Sequence, residues 1–442
     1  MVTFTPYFLW QHLQQTQLIA GTQCLVAYSG GLDSHVLLHS LVKLRDQYPN
    51  LQLQAVHIHH GLSPNADQWA DFTEQVCQHW DVAYTLRTIH LGSASQTKLS
   101  LEAAAREARY KIFSELLLAN GCLLTAHTQT DQAETMLLQL LRGAGPMGLA
   151  AMPGRRPLGK GQHVRPLLSF TRTALQSYAL NEQLKWVEDE SNYQLQFDRN
   201  YLRHQVMPLL EQRWPKATTT LARSAQHCGE ASELLAELAQ QDRQLLQGTV
   251  PNTLLIAPLQ QLSIARQRNV LRKWLKSLGF ILPSRVKLQQ IIDEVIASCA
   301  DAQPLVSWEG VEIRRFRDLL FAMQPLSASP ALPTALAWDL QQPLILPNEL
   351  GLLTVLPNSP PLLQIKNANL TIRFRQGGEI CRPLNRKGTH ALKKLFQEWN
   401  IPTWQRNRIP LLFNNETLLA VIGYGICEEY RKTIGDYQIL RS

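Results

Sequence analysis

No two of the seven cysteines form a CxxC pair. Cys24, Cys77, Cys122, Cys228, Cys299, Cys381 and Cys427 are scattered and odd in number. That spacing offers no zinc or iron–sulfur site and implies reduced thiols. No apolar run approaches the ~20 residues of a membrane helix, so no membrane span is expected. The N-terminus has no basic stretch followed by an apolar core, so export is not expected and the cytoplasm is the expected compartment. Repeats and low-complexity tracts are missing too. Charged residues are only 18% and hydrophobic residues 45% of the 442, the balance of a globular protein. That length implies two or three domains.

One further absence is local. Ser29-Gly30-Gly31-Leu32-Asp33-Ser34 follows the apolar run Cys24 to Tyr28 and precedes a helical pattern from His35 to Arg45. A strand, a Gly-Gly turn and a helix start form an anion cradle, because glycine lets backbone N–H groups approach closely and the helix dipole adds positive potential. Ser29 and Ser34 bring hydroxyls. A Walker-type loop would carry a lysine; this one has none. It carries Asp33 instead, which repels phosphate unless Mg²⁺ bridges the two. The competing reading is a polar turn that caps a helix.

The first ~200 residues alternate strand-like and helix-like stretches. Strands are expected at Leu51 to His59, Leu86 to Leu91 and Leu123 to Ala126. Helices are expected at Ala66 to Trp80, Leu101 to Asn120 and Thr130 to Leu141, with Asn120-Gly121 as a stop signal. This order implies an α/β fold, a doubly wound parallel sheet whose ligands sit beyond the carboxyl ends of the strands. Residues 1–215 are read as this domain. A small, mostly helical domain is expected over 216–325, with helices at Thr218 to Leu246, Gln260 to Leu278 and Val286 to Ser298. After the Pro/Ser/Ala-rich stretch Pro325 to Pro333, a small α+β domain is expected over 335–442. From Leu370 onward twelve residues are basic and six acidic, so most of the net charge of +8 lies there. A solvated surface and a grip on an anionic polymer are the two readings.

Four further clusters carry chemistry. His57, His59 and His60 lack a partner at usual zinc spacing, so a turn lining a nucleotide pocket is favoured over a metal site. Glu102 and Arg106 stand four apart on a helix, as either a surface ion pair or an arginine aimed at phosphate. His127, Asp131, Glu134 and Thr135 stand at a strand-to-helix junction. Asp131 alone reads as a cap-turn acid, whereas a Mg²⁺ site with an adjacent base or phosphate donor explains the set. Last come Arg142 in Leu140-Leu141-Arg142-Gly143, then Arg165-Pro166, then Glu188 to Asn192, and then Arg199, Asn200 and Arg203, which are more polar than a buried helix needs.

Taken in order, SGGLDS, HHGLS, LEAAAREARY, AHTQTDQAET, LLRGAGPMGL, RPLL, DESN and RNYLR resemble the tRNA(Ile)-lysidine synthetase family within the PP-loop ATP pyrophosphatases. The match covers about the first 210 residues, and the basic final segment resembles that family's last domain. Thr128 and Thr130 depart from the pattern, which more often has His and Asp. The resemblance implies a ligase that uses ATP to adenylate the carbon-2 oxygen of the wobble cytidine in an isoleucine tRNA with a CAU anticodon. The amine of L-lysine then displaces AMP. It implies ATP and Mg²⁺ and calls for no membrane and no protein partner. It implies that Ser29, Gly30, Gly31, Leu32, Asp33, Ser34 and His57 bind the nucleotide, and that Asp33 and Asp131 hold the metal. Arg106 and His127 contact phosphates, with His127 as a base for lysine the lesser reading. Glu134, Arg142, Arg199, Asn200, Arg203, Lys393 and Lys394 contact substrate. A thiolase with the same loop would need paired cysteines. A non-catalytic RNA-binding switch would leave Asp33, Arg106, His127 and Asp131 without purpose.

Overall fold

The computed structural model describes residues 3–15, 23–48, 50–59, 61, 63–89, 98–299, 302–326, 335–348, 350–356, 369–384, 386–430 and 439–441, without the side chains of 98–103 and 191. His60, the Glu102 side chain and most of the 325–333 stretch lie outside the described residues. The chain forms two compact units, Met1–Leu235 and Ala236–Ser442.

In the first unit the alternating pattern produces α1 (Pro6–Gln15), β1 (Gln23–Ala27), α2 (Leu32–Gln47), β2 (Gln52–His59), α3 (Ala66–His79), β3 (Ala83–Thr88), α4 (Lys98–Leu116), β4 (Cys122–Leu124) and α5 (Gln129–Leu141). There follow a one-turn α6 (Pro146–Leu149), a hairpin of β5 (Arg155–Leu158) and β6 (Gly161–Val164), then α7 (Arg172–Asn181). After a short α8 (Asp198–Tyr201) come a π turn (Leu202–Val206) and α9 (Met207–Arg213).

The sheet order is β3-β2-β1-β4-β6-β5, parallel except for the edge strand β5. Val26 stands opposite Ala55 on β2 and Leu124 on β4. The central strands β1 and β4 read as short apolar runs because both their faces are covered. Cys24, Val26 and Leu124 join one core with α1, α2 and α7. Leu25, Val56 and Leu123 face the other way onto Phe113 of α4 and Leu117 just past its end. Strand order reverses between β1 and β4, and their carboxyl ends open the crevice where ligands of such sheets bind.

Two boundaries differ from the sequence reading. β3 lies three residues earlier than Leu86 because its alternation is weak and mostly exposed. α4 ends at Leu116, four residues before Asn120, whose φ of +63° marks the turn itself. Sequence periodicity gave no sign of β5 and β6. They are short, yet β6 extends the parallel sheet beside β4.

The second unit holds two helical stretches, Ile256–Gln261 and Ile264–Ser277, where one helix was expected; Ser263 caps the second. Together with Arg285–Gln290 they pack on a four-stranded sheet around the fully buried Trp274. Beyond it, a five-stranded sheet runs through Leu370–Arg373, Leu411–Asn414 and Thr417–Val421. Trp404 receives the edges of Phe316 and Phe321, and the Arg314 guanidinium stacks over it at 5.4 Å. The seven cysteines were expected as reduced thiols. The structure instead joins Cys381 to Cys427, Cα atoms 5.9 Å apart across a separation of 46 residues. Sequence spacing detects only local cysteine pairs, and here an isolated bridge between Pro383 and Cys427 runs beside the distant pair.

Gly161 starts β6 where an added Cβ would overlap the Gly121 carbonyl oxygen and the Leu117 side chain. Gly161→Ala is therefore expected to cost about 1–3 kcal/mol in a urea unfolding experiment, as overpacked sites do. An unchanged midpoint would show that β6 is not held against β4.

Candidate active site

The crevice beyond β1 and β4 contains a cavity of about 430 Å³, a size suited to a small organic ligand. Its floor is the turn after β1. Gly30 has φ +82°, and a Cβ there would lie 3.0 Å from both Thr73 and Val187, so this position needs glycine. The Ser34 hydroxyl donates to the Gly31 carbonyl at 3.0 Å and accepts from the Ser29 N–H at 3.2 Å. Ser29 Oγ lies 3.0 Å from Ser34 Oγ and accepts from the Gly31 N–H. The two serines thus brace the loop around the start of α2, whose first N–H groups have no helical partner of their own. His57 is buried and its Nδ1 sits 2.9 Å from the Tyr28 carbonyl oxygen, joining β2 to the same turn.

Asp33 lies in the first turn of α2 and lines the cavity. Its Oδ1 is buried with no hydrogen-bond partner. Burial pushes its carboxyl up to about 6, aided by Asp131 and Glu134 and opposed by Arg172 and Arg203. A buried carboxylate oxygen left in this condition fits a divalent cation.

Asp131 differs. Thr128 caps α5, and Asp131 Oδ2 accepts from the Thr128 N–H at 2.8 Å and from its hydroxyl at 3.0 Å. Oδ1 accepts from Arg199 at 2.8 Å and Arg203 at 3.0 Å. Its four lone-pair positions are therefore all used. Burial alone would raise its carboxyl, but Arg199, Arg203, His127 and the Thr128 N–H together hold it below the usual range. Among the described residues no three His, Cys, Asp or Glu side chains converge as a metal cage. A Mg²⁺ held by one carboxylate, waters and substrate phosphates needs no such cage.

Glu134 is fully buried one turn along α5. It accepts from Arg203 Nε at 2.7 Å, from a second Arg203 nitrogen at 2.9 Å, and from Arg199 Nε at 3.0 Å. Four sequence-singled residues, Asp131, Glu134, Arg199 and Arg203, thus form one ion cluster that ties α5 to α8 and the π turn. Asn200 donates to the Gln194 carbonyl at 3.1 Å and shapes the preceding loop.

The remaining residues fall in different places. His127 lines the cavity. Arg106 does not; it is exposed and stacks 5.2 Å over Tyr110, while Arg109, one helical turn on, does line it. Arg142 is the exposed C-cap of α5. Lys393 and Lys394 are exposed on Leu392–Glu398 of the second unit, opposite the buried Leu392, Leu395 and Phe396. Sequence reasoning missed Arg172 at the start of α7 and the aromatic walls Trp69 and Trp186. Arg172 directly follows the helix-capping Thr171, a signal that could have marked it. Tyr193, 63% exposed at the rim, stacks on His204 with centroids 5.4 Å apart. Among the described residues that line the cavity there is no cysteine.

Three family models match the chain: a PP-loop domain over residues 9–210, a TilS substrate binding domain over 254–321 and a TilS substrate C-terminal domain over 370–439. A tRNA(Ile)-lysidine synthase from Coxiella burnetii is 47% identical over 97% of this chain and 94% of its own length. One from Serratia proteamaculans is 44% identical over 93% of each. Among solved structures, the U34-tRNA thiolase NcsA of Methanococcus maripaludis, with its 4Fe-4S cluster, aligns over 50% of this chain and 76% of its own at 17% identity and a TM-score of 0.42.

The lone Asp33 oxygen has a measurable consequence. Its folded-state value near 6 lies above the ordinary 3.8. The folded protein therefore binds that proton more tightly, and the ionised group destabilises it above pH ~6. Asp33→Asn is expected to stabilise the ligand-free protein by about 1–3 kcal/mol at pH 8, with the gain shrinking as pH falls toward 4. Differential scanning fluorimetry across that range checks it; a loss of stability at pH 8 would mean that Asp33 is satisfied without a ligand.

Proposed function

Because this chain belongs to the tRNA(Ile)-lysidine synthase family, we propose that the crevice beyond β1 and β4 is where ATP, the wobble cytidine and lysine meet. The enzyme is a ligase that converts the wobble cytidine of an isoleucine tRNA with a CAU anticodon to lysidine. The carbon-2 oxygen attacks the α-phosphate of ATP, pyrophosphate leaves, an amine of L-lysine attacks carbon 2, and AMP departs.

The observation that carries the site assignment is the pairing of a glycine turn with the unpartnered Asp33 oxygen in one cavity. Ser29 to Ser34 hold the β- and γ-phosphates through backbone N–H groups of the turn and of the first turn of α2. Asp33 would hold Mg²⁺ together with those phosphates, and the ion would neutralise charge that develops as pyrophosphate leaves. Arg172 and Arg109 line the same cavity and supply further positive charge, a role that Arg106 fills less directly from its seat on Tyr110. Asp131 was expected as a second metal ligand. With its lone pairs occupied, it serves instead to orient Arg199 and Arg203, and Glu134 shares that work. The cluster then keeps a net-neutral, rigid wall beside the cytidine and lysine. Tyr193 and His204 offer an aromatic rim for an unstacked anticodon base.

Lys393 and Lys394 extend the basic surface of the final segment, which holds the tRNA through phosphate contacts. Arg142, exposed with Leu140 and Leu141, contributes in the same way.

Incubation with ATP, labelled lysine and total tRNA is expected to release AMP and leave label in tRNA. Nucleotide binding without AMP would overturn the reading. Asp33→Asn is expected to abolish AMP formation while the protein stays folded; near-normal turnover would remove Asp33 from the chemistry. Replacing Lys393 and Lys394 together with alanine is expected to raise the KM for tRNA and to lower the salt slope by about two, one per phosphate contact. An unchanged KM and slope would take these lysines off the tRNA surface.

A further inference from the structure

We infer that Thr125 and His163 set the tautomer of His127, so that His127 meets the cavity as an Nε2–H donor and not as a proton-abstracting base. The argument follows one chain of hydrogen bonds. Thr125 and His127 leave the end of β4, and His163 lies on β6 opposite Leu123. The Thr125 N–H donates to the Val164 carbonyl at 3.1 Å, which continues the strand pairing past β4. This pairing puts Thr125 Oγ1 2.8 Å from His127 Nδ1 and 2.8 Å from His163 Nε2.

Both protons in that chain can be assigned from its far end. His163 Nδ1 lies 3.2 Å from Arg156 Nε and 3.3 Å from an Arg165 terminal nitrogen. A guanidinium only donates, so His163 Nδ1 accepts and carries no proton. The ring is then neutral with its proton on Nε2, and that N–H donates to Thr125 Oγ1. Among the described residues Thr125 Oγ1 has no hydrogen-bond partner besides the two rings, so its one hydroxyl proton goes to His127 Nδ1. His127 Nδ1 is thereby an acceptor, so the neutral ring carries its proton on Nε2, the nitrogen left for the cavity that His127 lines. The reverse order would aim a His163 N–H at two guanidinium groups. Those guanidiniums are themselves held: Arg165 donates to the Pro153 carbonyl at 2.6 Å, and Arg156 stacks 5.0 Å over Tyr110.

Charge supports the same assignment. Burial pushes His127 down to about 3, with Arg165, Arg199 and Arg106 also lowering it and Asp131 opposing. Burial and then Arg165 and Arg156 hold His163 far below its ordinary value. Both rings are neutral across the working range. A neutral histidine that donates through one nitrogen is a known way to polarise an oxygen. Here that oxygen belongs to the reacting phosphate or to the departing pyrophosphate, a step that rests on the function proposed above. A base for the lysine ammonium would need a bare nitrogen toward the cavity, and the bare nitrogen of His127 is the one covered by Thr125.

Two readouts test the relay and its consequence separately. In protein labelled with ¹⁵N-histidine, long-range ¹H–¹⁵N correlation is expected to show His127 as the Nε2–H tautomer. Thr125→Ser keeps this pattern, whereas Thr125→Val yields a mixture or the Nδ1–H form. An Nδ1–H signature in the unmodified protein overturns the relay whatever the activity. In turnover assays Thr125→Val is expected to lose ~10-fold or more in kcat, as removal of an oriented donor does, with the KM for ATP little changed and Thr125→Ser near normal. A full kcat in Thr125→Val with an altered tautomer overturns the donor role. If the tautomer stands but the unmodified protein transfers no lysine, the relay survives and the proposed function fails.

Discussion

A partly buried cluster of two carboxylates and two guanidiniums, with Glu134 at its dry centre, is the constraint around which the catalytic unit is arranged. Asp131 and Glu134 come from α5, and Arg199 and Arg203 from the segment that follows the last sheet connection. Glu134 has no exposed surface. Charges so far from water persist only when geometry and additional hydrogen bonds offset their lost hydration. Five charge-assisted bonds between 2.7 and 3.0 Å do so here. Removing any member would strand a charge, so the cluster holds α5 and the π turn in a single mutual position. The capping box of Thr128 and Asp131 fixes the start of α5 at the same point. Thr128, a departure from the expected motif, is thus a cap.

The cluster also shapes the electrostatics across the cavity. Asp33 faces a wall whose acids raise its carboxyl and whose arginines lower it, with burial the larger effect. In the ligand-free state it is the one carboxylate of the three with a buried oxygen lacking a hydrogen-bond partner. Asp131 and Glu134 are neutralised internally. Charge is therefore concentrated where a cation and phosphates would enter and cancelled where a neutral base would lie. That division of labour among three nearby acids follows from their partners, since their residue types are nearly equivalent.

The sheet topology brings a second polar chain to the same cavity. β6 was not legible in the periodicity, yet it carries His163 and leads into Arg165, which orient Thr125 and His127 from behind. The basic groups of the second unit were easier to foresee in composition than in position. The excess of basic residues after Leu370 is plain in the sequence, whereas the packing of Phe316, Phe321 and Arg314 about Trp404 joins a hairpin to a short helix far from it in the chain.

The sequence by itself determined the α/β core, the glycine turn after β1, the helix that follows that turn and the ordered motifs that mark the family. These rest on local preferences: apolar period, turn chemistry and capping are all written within a few neighbouring residues. It also singled out Asp131, Glu134, Arg199 and Arg203 without saying that they bind one another. Their separations of 65 to 72 residues carry no local signal. Only the tertiary structure decided that Asp131 spends its lone pairs on arginines and a cap, that Arg109 and Arg172 face the cavity where Arg106 does not, that Cys381 meets Cys427, and which nitrogen of His127 holds the proton. Hydrogen-bond partners and burial set those outcomes, and both exist only after distant segments have packed.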